Sequence, residues 1–120
     1  MPKTKKNSKD IFCKIIEDNK SEFILTTEHW LVLKDIRPQA PVHVLIISKK
    51  HITDIISAKK QDANIMGDLL LAIQKVAKKL NLGNNRFRLI INQGRHGGQI
   101  VPHFHIHMLG GKNLGPKIVI

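Results

Sequence analysis

The chain has 120 residues, an apolar fraction of 42%, one cysteine and a formal net charge of +11. This length supports one domain with a core of its own, and the single Cys13 excludes a fold held by internal disulfides. No apolar run approaches the ~18 residues that span a membrane, and no signal-peptide stretch follows the basic N-terminus, so we expect a cytoplasmic protein without a membrane partner.

Residues 1–9 are predicted to form a basic, disordered tail ahead of a single domain at 10–120. Four of the positive charges come from this tail, at Lys3, Lys5, Lys6 and Lys9. The excess of positive charge in the whole chain attracts anions such as nucleotides and nucleic acid. Aromatic residues make up only 4% of the chain, and no nucleic-acid-binding motif is present. A nucleic-acid partner is therefore possible from the charge, but no other feature of the sequence supports it.

The first half of the chain predicts a short helix and three strands. Ser8 is the candidate cap of the helix, whose apolar face carries Ile11, Phe12, Ile15 and Ile16. SEFILTTEHWLVLKD (21–35) predicts two strands around a turn at 27–29. The proline-broken connector DIRPQAP (35–41) leads to the β-branched strand VHVLIIS (42–48).

The second half predicts a long helix and two further strands. Apolar residues recur at helical spacing from Ser57 to Leu80, and Asn81–Leu82–Gly83 ends the helix, with Gly83 as a left-handed cap. RFRLIINQ (86–93) and VPHFHIHML (101–109) are predicted strands, joined by the loop GRHGGQ (94–99). Strands linked by short turns, with one short and one long helix, indicate an α+β fold with an antiparallel sheet.

Three histidines alternate with apolar residues in VPHFHIHMLGG (101–111). Because side chains alternate between the faces of a strand, His103, His105 and His107 share one face, while Phe104 and Ile106 point to the core. Three buried imidazoles without partners would be costly, so we expect the histidine face to border a cleft.

Two chemistries can use such a row of imidazoles. Neighbouring rings, about 6.6 Å apart along the strand, could share a metal ion with His51 or Asp35, although His103 and His107 lie too far apart for all three to do so. Alternatively, a neutral imidazole could attack a phosphorus atom to form a phosphohistidine, while a protonated neighbour serves the leaving group. The residues alone leave both readings open.

The stretch 103–109 resembles the His-φ-His-φ-His-φ-φ signature of the histidine triad (HIT) superfamily, where φ is apolar. DIFCKII (10–16), DIRPQAPVHVLIISKKHI (35–52) and IINQGRHGGQIVPHFHIHMLGG (90–111) resemble its Hint-like branch. The resemblance implies a five-stranded antiparallel sheet with two helices, paired into a two-fold homodimer. It also implies hydrolysis of purine nucleoside 5′-phosphoramidates or related nucleoside monophosphate conjugates without a cofactor. The alternatives are a dinucleoside polyphosphate hydrolase, a non-catalytic nucleotide- or nucleic-acid-binding protein, and a metalloprotein that uses two triad histidines.

The resemblance assigns a role to each histidine. His105 would attack the α-phosphate and form a nucleotidyl-histidine, which water then hydrolyses. His103 would orient the phosphate and the nucleophile, and His107 would assist departure of the amine. His51 matches a fourth histidine that the family places behind the triad.

The substrate-binding residues surround the triad. The resemblance implies that Asp35 accepts hydrogen bonds from the ribose hydroxyls. The glycine-rich loop is expected to turn backbone N–H groups toward a phosphate, with Asn92 and Gln99 as neutral donors beside it. The phosphate contacts are therefore assigned to Asn92, Gly98, Gln99, Ile100 and Val101, and the apolar slot for the base to Ile11, Phe12, Ile15, Leu33 and Ile36.

The chain departs from the family pattern at several positions. Ile100 stands where many relatives have a serine that contacts the α-phosphate, and Leu33 replaces a commoner aromatic residue. Some bacterial members hold zinc through a Cys-x-x-Cys pair near the first helix, but this pair reads Asp10 and Cys13 here, so we expect no structural zinc. The ending KNLGPKIVI (112–120) differs from the Trp-containing ending of better-known relatives, and the leaving-group preference is not carried over.

Overall fold

The structure is a computed structural model that describes residues 9–18 and 22–116. The elements are α1 (Ile11–Asp18), β1 (Leu25–Thr26), β2 (Trp30–Lys34), β3 (Val42–Ser48), α2 (Ala63–Lys79), β4 (Arg88–Ile90) and β5 (His105–Gly110). The five strands form one antiparallel sheet in the order β1-β2-β3-β5-β4. The predicted α+β fold with a five-stranded antiparallel sheet is therefore confirmed. Within the described ranges, neither helix has the length and apolar content that crossing a membrane requires.

The cap of α1 is Asp10. The predicted cap, Ser8, lies outside the described residues, as does the rest of the tail up to residue 8. The Asp10 Oδ1 atom accepts the backbone N–H of Cys13 at 2.7 Å, which is the contact that a capping side chain makes three residues into a helix. Lys9 also reaches the helix, because its Nζ lies 2.7 Å from Glu17 Oε2.

The long helix begins later than predicted. Residues 55–57 form a turn and a 3-10 turn spans Lys60–Asp62, so α2 starts at Ala63 rather than at Ser57. Asp62 accounts for the delay, because its carboxylate accepts the Lys59 N–H at 2.9 Å and pairs with Lys50 Nζ at 2.6 Å. These bonds tie the 3-10 turn to the chain that leaves β3.

The end of α2 and the last two strands also differ in detail from the prediction. Asn81, with φ of 58°, takes the left-handed conformation that was predicted for Gly83, which a short polar side chain tolerates. β4 and β5 are shorter than predicted, and residues 101–103 form a bend rather than a strand. Phe104 is nevertheless anchored, because its N–H donates to Ile52 O at 2.6 Å and its carbonyl accepts the Ser48 N–H at 3.2 Å.

One helix covers each face of the sheet. The larger core lies between the sheet and α2 and includes Phe104, Ile106 and Met108. These three side chains are buried, and burial of each contributes about 1.5–3 kcal/mol. A slip of β5 by one residue would expose these side chains. Their burial therefore determines that the opposite face of β5 points toward α1. On that face Phe12 of α1 packs against β3.

Candidate active site

The register of β5 places two of its histidines on the α1 side of the sheet. His105 is opposite Ile47 of β3, and His107 lies between Leu45 of β3 and Ile90 of β4. The ring centroids of His105 and His107 are 5.3 Å apart. The predicted alternation of imidazoles and core residues is therefore observed.

One ring nitrogen of His105 makes a hydrogen bond, and the other has no hydrogen-bond partner among the described residues. Its Nδ1 lies 2.6 Å from the carbonyl oxygen of His103. Because a carbonyl only accepts, Nδ1 carries the proton and Nε2 holds the lone pair. Nε2 has no hydrogen-bond partner among the described residues. In that same part of the chain the one buried side-chain nitrogen or oxygen without a hydrogen-bond partner is His29 Nδ1. His105 Nε2 is not among such buried atoms, so it keeps contact with the exterior.

Burial keeps His105 neutral. Phe12 packs edge-on over its ring with a centroid separation of 5.0 Å. Desolvation lowers the pKa of His105 below its usual value, and the nearby His103 ring lowers it further, although the backbone bond to His103 acts in the opposite direction. A neutral ring with an exposed Nε2 lone pair can act as a nucleophile.

His107 is linked to two polar residues. His43 Nε2 lies 3.0 Å from His107 Nδ1, and Asp35 Oδ2 lies 3.3 Å from His43 Nε2 and 3.9 Å from His107 Nδ1. Asp35 is thus connected to His107 of the triad by way of the His43 ring. Its other oxygen, Oδ1, accepts the Arg37 N–H at 2.8 Å. Desolvation, together with His105 and His43, lowers the pKa of His107.

The sequence analysis missed His43. The signal for it was a lone polar residue in the otherwise apolar strand VHVLIIS. Only the pairing of β3 with β5, which sets His43 opposite Leu109 and diagonal to His107, brings it to the triad.

His103 and His51 belong to a different cluster at the end of α1. His103 is fully buried, and its Nε2–H donates to the Ser48 carbonyl at 2.6 Å. Its Nδ1 lies 3.1 Å from Asp10 Oδ2 and 3.5 Å from Cys13 Sγ. His51 Nδ1 lies 3.2 Å from the same Asp10 oxygen and 3.3 Å from the same sulfur.

This cluster of Asp10, Cys13, His51 and His103, the α1 cluster, has the geometry of a metal site. Its four potential ligand atoms all lie within 4.8 Å of one another. Zinc bonds of about 2.0–2.3 Å give tetrahedral edges of about 3.3–3.8 Å, and the four separations above span 3.1–3.5 Å. The His103 Nε2–H bond to a carbonyl is the usual support of a metal-bound imidazole. These residues fit zinc, contrary to the expectation drawn from the missing cysteine.

The local electrostatics explain why the Asp10 carboxylate can act as a metal ligand in the α1 cluster. Burial raises the pKa of the Asp10 carboxyl, but the Cys13 N–H and the His103 ring outweigh it, so the pKa lies below its usual range. Asp10 is thus ionised, capping α1 with one oxygen and facing both histidines with the other. A cavity of about 310 Å³ that is lined in part by Cys13 and His51 opens beside the α1 cluster.

The two predicted amide donors shape the glycine loop. Asn92 Nδ2–H donates to Gly97 O at 2.7 Å. Gln99 Nε2–H donates to Thr53 O at 2.8 Å and to Val101 O at 3.1 Å, and its Oε1 accepts the Gly94 N–H at 2.9 Å. Both side chains therefore hold the loop in place. Gln99 Nε2 has two carbonyl acceptors, whereas Asn92 Nδ2 has one among the described residues and keeps a second N–H for a phosphate.

The backbone of the loop offers a different donor. Gly98, with φ of 78°, donates its N–H to Arg95 O within the turn. The N–H of Ile100 has no acceptor among the described residues, and the Ile100 side chain is 91% exposed. The available donor at this position is thus the Ile100 backbone.

The predicted base slot is assembled in part. Phe12 packs with Leu45 and Ile47, and the half-buried Ile15, Leu33 and Val101 pack against this cluster. Ile11 and Ile36 are 54% and 91% exposed. The structure does not bring these two residues into the apolar cluster.

Comparison with known proteins identifies one family. Residues 17–114 match the family profile described as HIT domain. The chain is 43% identical over 103 residues to an uncharacterised HIT-like protein of Synechocystis, covering 85% of this chain and 90% of that protein. It is 42% identical over 106 residues to a HIT-like protein of Chlamydia muridarum, covering 88% and 83%.

Solved structures share the fold. A HIT family hydrolase from Clostridium thermocellum superposes with a TM-score of 0.85 at 43% identity, covering 92% of this chain and 96% of that one. A HIT family hydrolase from Legionella pneumophila gives a TM-score of 0.83 at 36% identity, covering 89% and 96%. A histidine triad nucleotide-binding protein from Candida albicans gives 0.74 at 28% identity, covering 92% and 87%.

Proposed function

The chain belongs to the HIT domain family, and from that premise we propose that it hydrolyses purine nucleoside 5′-phosphoramidates or related nucleoside monophosphate conjugates. The observation that carries the proposal is the His105 ring, whose Nδ1–H is held by the His103 carbonyl while Nε2 has no hydrogen-bond partner in the described part of the chain. Two similar structures are named HIT family hydrolases, and another is named a nucleotide-binding protein. These names support the reaction class and the ligand class.

The reaction proceeds in two displacements at the α-phosphorus. His105 Nε2 forms a bond to phosphorus while the bond from phosphorus to the bridging nitrogen breaks, and the leaving nitrogen takes a proton from water in the cleft, so that it departs as the neutral amine. The ring becomes positively charged, and the His103 carbonyl at Nδ1–H stabilises that charge. Water then attacks phosphorus, releases the nucleoside monophosphate and restores the neutral ring.

The remaining site residues bind the nucleotide. Asp35 accepts hydrogen bonds from the ribose hydroxyls, and the Ile100 N–H faces the phosphate. The apolar cluster of Phe12, Ile15, Leu33 and Val101 receives the purine, supported by its packing on the side of the sheet that carries His105. Dinucleoside polyphosphates are the competing substrates, since the same nucleophile can attack them.

Two further features accompany the proposed activity. The α1 cluster would hold zinc through Asp10, Cys13, His51 and His103, and a bound zinc ion would supply a fixed positive charge that orients His103. We also propose a two-fold homodimer through β4, which is an edge strand. Exposed apolar residues on α2 and around β4 support it, namely Leu70, Leu71, Leu89 and Ile91.

The test is turnover of adenosine 5′-phosphoramidate against diadenosine polyphosphates, with acid quenching and mass spectrometry to detect an adenylated protein. We expect release of AMP from the phosphoramidate and one adenylyl group on His105. His105→Ala should abolish both, whereas Lys60→Ala, at an exposed position in the 3-10 turn, should retain them. Turnover that survives in His105→Ala would refute the mechanism, and faster cleavage of the polyphosphates would reassign the substrate.

A further inference from the structure

A second cavity, larger than the one beside the α1 cluster, lies where β5 ends, at the opposite end of that strand from His105. Its volume is about 640 Å³, and it is lined by residues 81–82, 85–88 and 109–115. The triad histidines are not among these lining residues. Because small-molecule sites typically have volumes of about 300–1,000 Å³, this β4–β5 cavity has room for a ligand of its own.

The charged residues that line the β4–β5 cavity all have the same sign. They are Arg86, Arg88 and Lys112, and none of the described lining residues is an aspartate or a glutamate. The sequence accounts for this, because all 9 acidic residues of the chain lie at or before Asp68. Within the described ranges, none of the three cations forms an ion pair with a carboxylate. Three neighbouring cations without a counter-ion repel one another and attract an anion.

The guanidinium of Arg88 is anchored through one of its nitrogens. Its Nη2 donates to the carbonyl oxygens of Gly115 and Pro116, at 2.8 Å and 2.9 Å. The Gly115 N–H in turn donates to Asn113 Oδ1 at 2.8 Å, which holds the segment after β5. An arginine carries five N–H donors, and the three on Nε and Nη1 of Arg88 have no acceptor among the described residues. Arg88 is therefore oriented in advance to bind an oxyanion.

The backbone of Arg86 is strained. Its φ of 68° lies in the left-handed region, which residues other than glycine, asparagine and aspartate seldom adopt. The Arg86 N–H donates to Leu82 O at 3.0 Å, so the turn between α2 and β4 enforces this conformation. Strained residues that the surrounding structure holds in place cluster at ligand-binding sites. The turn thus keeps an arginine at a position that glycine or asparagine would occupy with less strain.

The rest of the lining combines apolar and amide side chains. Phe87, which is half-buried, and Leu109 form apolar parts of the wall. The exposed Asn81 and Asn85 also line the cavity, and an amide both donates and accepts, as pairing with the edge of a nucleobase requires. Inorganic phosphate would engage only the cations, whereas a phosphate ester with a planar base would engage both parts of the lining.

We propose that the β4–β5 cavity is a second binding site, separate from the triad, for a nucleoside phosphate. Arg86, Arg88 and Lys112 bind the phosphate, and the base packs against Phe87 with its edge toward the asparagine amides. This inference goes beyond the proposed hydrolysis and does not depend on it, because binding in the cavity requires no turnover.

The direct test is a titration of ¹⁵N-labelled protein with AMP, followed through the backbone amide signals. We expect the signals of Arg88, Gly110 and Gly111 to shift with a dissociation constant of their own, in addition to signals around His105. Adenosine and inorganic phosphate should each bind in the cavity at least about tenfold more weakly than AMP, because each lacks the contacts of the other half. AMP that shifts only the signals around His105 would overturn the proposal, as would inorganic phosphate that binds in the cavity as tightly as AMP.

A charge-removing variant gives the second readout. Arg86→Asn removes one cation, and the fold should be retained because asparagine tolerates the left-handed backbone. We expect this variant to bind AMP in the cavity about tenfold more weakly and to leave binding near His105 unchanged. Lys75→Gln, which removes a charge at an exposed position of α2 outside the cavity, is the matched control and should change neither constant.

Two results would contradict this assignment. Equal affinities of wild type and Arg86→Asn for AMP in the cavity would show that the cations do not bind the phosphate. A single-stranded RNA that occupies the cavity more tightly than AMP would reassign it to nucleic acid. If the wild-type protein cleaves no nucleotide conjugate, the proposed function fails, and the titration still decides whether the cavity binds AMP.

Discussion

Asp10 Oδ2 lies 3.1 Å from His103 Nδ1, although the proton of that ring is committed through Nε2 to the Ser48 carbonyl. A carboxylate facing the lone pair of a neutral imidazole is repelled. The contact is favourable if His103 is doubly protonated or if a cation lies between the two atoms. Cys13 and His51 bring two more potential ligand atoms, and all four lie within 4.8 Å of one another, which leads to the first prediction.

We predict that the purified protein binds one zinc or cobalt(II) ion at the α1 cluster. Cobalt(II) should produce a thiolate charge-transfer band that Cys13→Ser abolishes. Asp10→Ser should weaken metal binding by more than about tenfold, since loss of even an outer partner costs about that much. Titration followed by absorbance measures both effects. A wild-type protein that remains free of metal in excess cobalt would contradict the prediction.

The two oxygens of Asp10 have separable roles, one as a cap and one as a ligand. Serine caps helices nearly as well as aspartate, whereas alanine does not. In the presence of a chelator, Asp10→Ala should lower the free energy of unfolding by about 1 kcal/mol relative to Asp10→Ser. Urea denaturation of the two variants provides the measurement, and equal stabilities would show that the Cys13 N–H does not depend on the cap.

Because the ring of His105 is buried, we predict that hydrolysis persists in mildly acidic solution. Burial lowers the pKa of His105 below about 6.5, and attack needs the neutral ring. As the pH falls, the neutral form therefore persists through pH 6.5, and kcat/KM should decline only below it. Phe12→Ala, which uncovers the ring, should move this decline to higher pH. A wild-type profile that already declines above pH 6.5 would contradict the assignment.

Restoring a hydroxyl at position 100 should improve phosphate binding. The Ile100 side chain is almost entirely exposed, so Ile100→Ser should leave the free energy of unfolding nearly unchanged. One added hydrogen bond is worth about 0.5–1.5 kcal/mol, which corresponds to a roughly two- to tenfold tighter complex. Calorimetric titration with AMP gives the affinity, and Ile100→Ala controls for removal of the isoleucine. If alanine and serine bind AMP equally, the hydroxyl makes no contact.

The proposed homodimer predicts a salt-independent assembly through α2 and β4. Leu71→Glu places a charge on the exposed apolar face of α2 and should convert dimer to monomer in sedimentation velocity. Lys60→Ala, at an exposed position in the 3-10 turn that precedes α2, should leave the dimer intact. A wild-type protein that sediments as a monomer at high concentration would refute the proposed interface.

Much of the fold followed from local patterns. The period-two alternation around His105 predicted correctly which face of β5 enters the core, since Phe104, Ile106 and Met108 are all buried. The exact helix ends were less predictable, because Asp62 and Asn81 act through bonds and backbone angles that several residue types could supply. The bonds of Gln99 to the Thr53 and Val101 carbonyls could not be predicted, because an amide donates equally well to a loop carbonyl or to a phosphate.

By itself, the sequence determined the fold class and the face of β5 that carries His105 and His107, because periodicity is a property of neighbouring residues. Its motifs resembled the family to which the comparisons assign the chain. Only the tertiary structure decided that His103 lies with Asp10, Cys13 and His51, and that His107 lies with His43 and Asp35. The physical reason is that hydrogen bonds and metal ligation act over about 2–4 Å in space. Strand pairing and the docking of α1 bring together residues that are far apart along the chain.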